Sequence, residues 1–363
     1  AGRCPSAGRP PGRQVRPAMP VTVDIQGHAM PFSAQTSPAD SPSHLQPNRA
    51  CAHRLSRRTL LKGVGGLAAA SVIGGGAVVA GAAPAQAALT VAEHEDHGRM
   101  QYYKLATSSI GWLPRVNVLL PDGYDTSRRY PVLFLLHGGG ENYSTFDTKY
   151  DIRNHTAGRD LIVVMPDGGA AGWYCDPESS NVGPRNWETF HIKELIPWVD
   201  ATFATTGQAS RRAISGFSMG GFGALKYAAK YPELFASVSS HSGPADLRIQ
   251  DGAVVHWANF TAGATDLKGG TIYGIPWDQA RVSADNPVEH VESYRGKRVF
   301  LVSGTESDRY ESVVLPSQQS FEKALDGAGI GYERYEDTGA HIVRWGRMQQ
   351  DIDSLLNHFA KGA

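Results

Sequence analysis

The stretch Gly216-Phe217-Ser218-Met219-Gly220 constrains this chain more than any other. A short apolar run through Ala213, Ile214 and Phe217 leads into Ser218. A helix-forming run follows, with Ala224, Leu225, Ala228 and Ala229 spaced to pack inward. A serine flanked at two residues' distance by glycines, between a strand and a helix, predicts a sharp turn in which the two elements approach without side-chain clash. Such a turn strains the serine backbone and pushes the hydroxyl out at the carboxyl end of a sheet. The following helix would direct its amino end, about half a positive charge, at the same point. That is the setting of a nucleophile on which an oxyanion develops.

The rest of the body alternates in kind. Segments 101–105 and 115–120 read as an opening pair of strands, and Pro121-Asp122-Gly123 as a turn. Runs 131–136 and 161–165 are continuously apolar, as strands buried on both faces of a parallel sheet are. Residues 187–203 carry Phe190, Ile192, Leu195, Ile196, Val199 and Phe203 at helical spacing. Further strands are expected at 212–217, 235–239, 299–304 and 332–335, and helices at 219–230, 316–325 and 348–359. Residues 244–290 have weak periodicity and read as an irregular insertion beside the site. Alternating strands and helices imply an α/β fold with a mostly parallel central sheet flanked by helices.

The charge is unevenly spread. Residues 1–87 hold 9 Lys/Arg against 2 Asp/Glu, a net of +7, whereas residues 88–363 hold 26 against 33, a net of −7. An acidic body argues against sequence-independent binding to nucleic acid, which needs clustered cations. Residues 1–50, rich in Pro, Ala, Ser and Arg, read as a disordered or upstream extension. Residues 51–87 contain Ser56-Arg57-Arg58-Thr59-Leu60-Leu61-Lys62, then a Gly/Ala-rich apolar stretch, then Ala85-Gln86-Ala87. This is the pattern of a twin-arginine signal peptide cleaved after Ala87, leaving a catalytic domain of 88–363 that is secreted or held at the cell envelope. No other run approaches the ~18–20 apolar residues of a membrane span. Of the three cysteines, only Cys175 lies in the body, where a small buried residue is the expected reading.

A serine nucleophile needs a base, and the base needs a carboxylate. His341, in Thr338-Gly339-Ala340-His341, follows the last strand, where a loop can return over the nucleophile. His241, directly after a strand, is its rival, and His358 falls in the closing helix. The acid is expected after the strand that ends at Ser303-Gly304, and spacing leaves Glu306 and Asp308 both open. Two backbone amides should face the oxyanion: Met219, next to the nucleophile, and one from His137-Gly138-Gly139-Gly140. His94-Glu95-Asp96-His97 reads as a solvated segment at a frayed end rather than a metal site, and the chemistry requires neither metal nor cofactor.

With elbow, glycine loop, acid loop and histidine in this order, the body resembles the putative-esterase family of α/β-hydrolases. That family includes esterase D, feruloyl and acetyl esterases and the antigen 85-type mycolyltransferases. Local likeness to the mycolyltransferase branch lies in Pro166-Asp167-Gly168-Gly169, Gly172-Trp173-Tyr174, Trp187-Glu188-Thr189-Phe190, the stretch from Ser239 to Gly243, and Asn286-Pro287. The resemblance implies Ser218, Asp308 and His341 as the triad, with Asp308 preferred over Glu306. It implies Gly139 and Met219 as oxyanion donors and Asp246 as a substrate contact; Trp187 and Trp345 are the tryptophans expected near the cleft. The mycolyltransferases carry Asp-Gly-Leu-Arg where this chain has His137-Gly138-Gly139-Gly140, and their acid is Glu. The expectation is an exported serine esterase acting on a small-molecule, lipid or glycan ester. The alternatives are an acyltransferase of the mycolyltransferase or diacylglycerol acyltransferase type, and a non-catalytic wall-binding protein.

Overall fold

The computed structural model describes residues 89–362, which fall in one compact unit. The expected extension and signal peptide lie outside the described residues. Among the described residues nine strands form one sheet: β1 (Thr90–His97), β2 (Met100–Ala106), β3 (Arg115–Leu119), β4 (Val132–Leu136), β5 (Ile162–Pro166), β6 (Arg212–Phe217), β7 (Ser237–His241), β8 (Arg298–Gly304) and β9 (Glu333–Asp337). Their order is β1-β2-β3-β5-β4-β6-β7-β8-β9. The first three pair antiparallel up to β3 against β5, and every pair beyond is parallel.

The apolar runs explain the layering. In β4, Val132, Phe134 and Leu136 join one core while Leu133 and Leu135 join the other, so both faces are covered. Short helices α1 (Thr145–Thr148) and α2 (Ile152–His155) follow β4. After β5, α3 (Trp187–Thr189) runs through a π-helical segment, Phe190–Leu195, into α4 (Ile196–Thr202). Next come α5 (Met219–Lys230), α6 (Ile249–Ala264), α7 (Gln279–Asp285), α8 (Glu311–Ala328) and α9 (Trp345–Ala360). One face of α9, made of Met348, Ile352, Leu355 and Phe359, is buried in the second core.

Four readings need correction. β1 is an eight-residue edge strand, not a frayed end, although all its side chains are exposed. The 244–290 segment is largely helical, containing α6, α7 and a 3-10 stretch, Pro287–Tyr294. The strand expected at 235–239 lies two residues later. The helix expected from Pro316 starts at Glu311 and carries Pro316 inside it.

Candidate active site

Ser218 stands between β6 and α5 at φ 56° and ψ −120°, a strained left-handed value for a residue with a side chain. Neighbours over-determine that conformation. The Ser218 N–H donates to the His241 carbonyl on β7 (2.8 Å), and the Ser218 carbonyl accepts from Phe222 N–H (3.1 Å). A Cβ on Gly220 would lie 2.6 Å from the Leu136 carbonyl carbon and 2.7 Å from the His137 oxygen. Only glycine lets α5 start this close to the end of β4.

His341 sits in the loop after β9 and reaches Ser218: Nε2 is 2.8 Å from Ser218 Oγ. Its ring lies between Phe217 and Tyr310, each 5.0 Å away centroid to centroid. Tyr310 in turn stacks on Trp257 at 5.3 Å.

The carboxylate at the imidazole is not the expected one. Nδ1 is 3.2 Å from Oε1 of Glu311, the first residue of α8 and 1% exposed. The same Oε1 accepts from Ser242 Oγ at 2.6 Å. With Ser218 Oγ donating to Nε2, Nδ1 carries the proton and donates to Glu311. The Asp308 carboxylate turns instead to main chain. Oδ2 accepts from His341 N–H (2.8 Å), and Oδ1 from Tyr310 N–H and Glu311 N–H (2.7 Å each). Burial works to raise the Asp308 pKa, but the amides of Glu311, His341 and Tyr310 outweigh it and hold the group below the ordinary carboxylate range. Glu306 is exposed on the same loop.

The glycine loop abuts Ser218, since a Cβ on Gly138 would lie 3.4 Å from Ser218 Cβ. The Gly138 N–H donates to Glu141 Oε2 (2.9 Å) and the Gly140 N–H to the Ala170 carbonyl (2.7 Å). The amide between these two committed ones is Gly139. Met219 opens α5, where a helix leaves its first N–H groups unsatisfied. The buried His137 braces this loop: Nδ1 donates to the Gly138 carbonyl (2.8 Å) and Nε2 accepts from Gly168 N–H (2.9 Å).

The other expected residues make contacts of their own. Asp246 accepts from Ser320 Oγ on α8 (2.7 Å) and from Arg248 N–H (2.9 Å). Trp187 is fully buried between Trp112, Phe190 and His191. Trp345 stacks on His155 at 4.4 Å and packs beside Tyr150. His241 is buried with Nε2 on Asp351 (2.9 Å). Sequence reasoning missed Glu311, Ser242 and Tyr310. A helix start placed at Glu311 was the signal that would have found the first.

A central parallel sheet, a serine at a strand-to-helix elbow and a histidine loop closing over it define an α/β-hydrolase fold. This chain belongs to the putative esterase family, whose model matches residues 107–348. It is 56% identical over 277 residues to the esterase Rv1288 of Mycobacterium tuberculosis, covering 73% of this chain and 60% of that protein. The chain thus spans less than two thirds of the curated relative's length. It is 27% identical to the MPT51/MPB51 antigen of the same species, over 63% of this chain and 78% of the antigen. In fold it is similar to an S-formylglutathione hydrolase from Agrobacterium tumefaciens (TM-score 0.60, 20% identity, 75% of this chain and 99% of that one). It is also similar to MPT51 of Mycobacterium tuberculosis (TM-score 0.58, 21% identity, 75% and 99%).

Proposed function

We propose that this chain is a serine carboxylic-ester hydrolase working through an acyl-enzyme. The observation that carries the reading is the 2.8 Å approach of His341 Nε2 to Ser218 Oγ at a strained elbow. Ser218 attacks the acyl carbon while His341 takes its proton. Glu311 holds the tautomer and stabilises the imidazolium. The amides of Gly139 and Met219 receive the oxyanion, each contributing about a hundred- to a thousand-fold in rate. His341 then returns the proton to the leaving alcohol, and water resolves the ester with His341 as base again.

The second reading is acyl transfer to a sugar or lipid hydroxyl, and the likeness to the mycolyltransferase branch supports it. Both readings share the acyl-enzyme and differ in the acceptor. The test is hydrolysis of p-nitrophenyl esters from acetate to palmitate by the full chain beside Ser218→Ala, with and without trehalose or glycerol. Turnover absent from the variant is expected, and products partitioning to the added alcohol would favour transfer. No turnover at any chain length by folded protein would overturn the esterase reading.

The proposal extends to location. A twin-arginine leader cleaved after Ala87 would deliver residues 88–363 outside the cytoplasm. Amino-terminal sequencing of the exported protein tests this, and a start other than Ala88 would refute it. Among the described residues no helix is long and apolar enough to cross a membrane.

A further inference from the structure

Gly139 has no side chain to hold it, so the direction of its amide depends on the two peptide planes that flank it. The first is fixed within its own loop: the Gly138 carbonyl accepts from His137 Nδ1 (2.8 Å) and from Glu141 N–H (3.2 Å). The second is fixed from outside. The Gly140 N–H donates to the Ala170 carbonyl (2.7 Å), in the turn after β5. That carbonyl shares one rigid peptide unit with the Ala171 N–H, which donates to Asp266 Oδ2 at 2.7 Å. A single plane thus meets a carboxylate at one end and the glycine loop at the other.

Asp266 lies just beyond α6, and its neighbour anchors it. Leu267 is buried; its N–H donates to the Ala262 carbonyl (2.8 Å) and its carbonyl accepts from Asn181 N–H (3.1 Å). The turn comes so near that a Cβ on Gly169 would lie 2.5 Å from Asp266 Oδ2 and 3.0 Å from the Trp187 indole nitrogen. Burial raises the Asp266 pKa, and the amides of Ala171 and Ala170 oppose the rise without cancelling it. No step of the proposed mechanism uses this carboxylate.

We infer that Asp266 is a positioning residue for the oxyanion site, acting through the 170–171 peptide to hold the 139–140 peptide and with it the Gly139 amide. The inference rests on the serine-hydrolase reading and deepens it. The carboxylate acts twice. It fixes the plane, and its charge draws on the Ala171 N–H and so strengthens the Ala170 carbonyl as an acceptor, as happens along a chain of hydrogen bonds. An oxyanion donor works by pointing at the site before charge develops there. A tilt of the plane therefore falls on the transition state and not on substrate binding.

Asp266→Ala removes the acceptor, whereas Asp266→Asn keeps an acceptor without the charge. With p-nitrophenyl butyrate and the full chain, Asp266→Ala should lower kcat about ten- to a hundred-fold, less than the loss of a whole donor, with KM nearly unchanged. Asp266→Asn should recover part of this and lose about three- to ten-fold; it carries the test alone if Asp266→Ala does not fold. Butylboronic acid closes on Ser218 as a tetrahedral adduct with an oxygen in the oxyanion site, so its Ki should rise in step with the fall in kcat. Sites labelled to completion by a fluorophosphonate normalise both constants for misfolded protein. Wild-type kcat per labelled site in either variant would overturn the inference, as would a fall in kcat that the boronate Ki does not follow. Ser218→Ala reports on the underlying reading by itself: full turnover in that variant refutes the serine mechanism whatever Asp266 does.

Discussion

Replacing Glu311 by Gln removes one charge and little volume. The side chain is buried, and its Oε1 lies 3.2 Å from Nδ1 of His341. At that separation two unit charges in an effective dielectric near 20 attract by about 5 kcal/mol. The attraction exists only when the imidazole is charged, as the proposed mechanism makes it in the transition states on either side of an acyl-enzyme, so its loss would fall on kcat. A barrier higher by ~5 kcal/mol slows turnover roughly 10⁴-fold, the scale on which neutralising a triad carboxylate acts in general. Ground-state binding makes no use of that charge, so KM should stay within a few-fold. Steady-state kinetics with a p-nitrophenyl ester, normalised to sites labelled by a fluorophosphonate, measures both. If Glu311→Gln keeps kcat within about ten-fold of wild type, the charge on Glu311 does not stabilise the imidazolium and the assignment fails.

The fully buried Lys226 donates to Glu188 (2.7 Å) and to the Tyr174 carbonyl (2.8 Å). Lys226→Met should cost about 3–5 kcal/mol, lowering Tm by roughly 8–15 °C in a calorimetric scan; an unchanged Tm would show the cluster to be idle. Burial works to raise the pKa of Glu188 and Asp351, but Lys226 and Lys230 hold Glu188 at about 2, and Arg298 and His241 hold Asp351 at about 2. Both are therefore depressed from unfolded values near 4, and their stabilisation is complete above about pH 5 and lost as pH falls toward 2. Urea midpoints should drop across that window, by less in Asp351→Asn relative to its own pH 7 value, and a flat profile would refute the linkage. Gly220→Ala puts a methyl against the carbonyls of Leu136 and His137, so soluble, fully active Gly220→Ala would contradict the elbow geometry.

The elbow and the inner strands were legible because their constraints are local. Gly216 answers a steric demand made within five residues, since its Cβ would meet Gly220, and strands buried on both faces must be apolar throughout. Glu311 was hidden by Pro316, which suits the first turn of a helix and so pointed to a start five residues late. In the fold Pro316 lies inside α8 and cannot donate to the Ser312 carbonyl four residues back. That carbonyl accepts instead from Gln250 Nε2 on α6 at 3.0 Å. A partner 62 residues away leaves no trace in the local pattern. β1 was missed for a related reason. Its sequence has no buried face to alternate, and it is a strand only because β2 offers it a ladder. Aromatic composition carries no direction: Trp187 lies in the core and Trp345 stacks on His155.

The loop proposed to receive the oxyanion is held by more than its glycines. Trp173 and Tyr174 both hold left-handed backbone angles, φ 50° and 56°, each costing about 1–3 kcal/mol in a residue with a side chain. The strain persists because Tyr174 is held at both ends. Its carbonyl accepts from Lys226 Nζ and Tyr227 OH, each at 2.8 Å, and its own hydroxyl donates to the His137 carbonyl at 2.8 Å. His137 in turn braces Gly138 beside the Gly139 amide. A cation two turns along α5 from the nucleophile is thus linked, through one strained tyrosine, to the loop opposite that nucleophile. Loss of Lys226 should then lower kcat in protein that is still folded well below its reduced Tm, because the tyrosine can relax and release His137. A variant with reduced Tm and wild-type kcat would confine the cluster to stability and leave the tyrosine's strain to be held by Tyr227 and the His137 carbonyl.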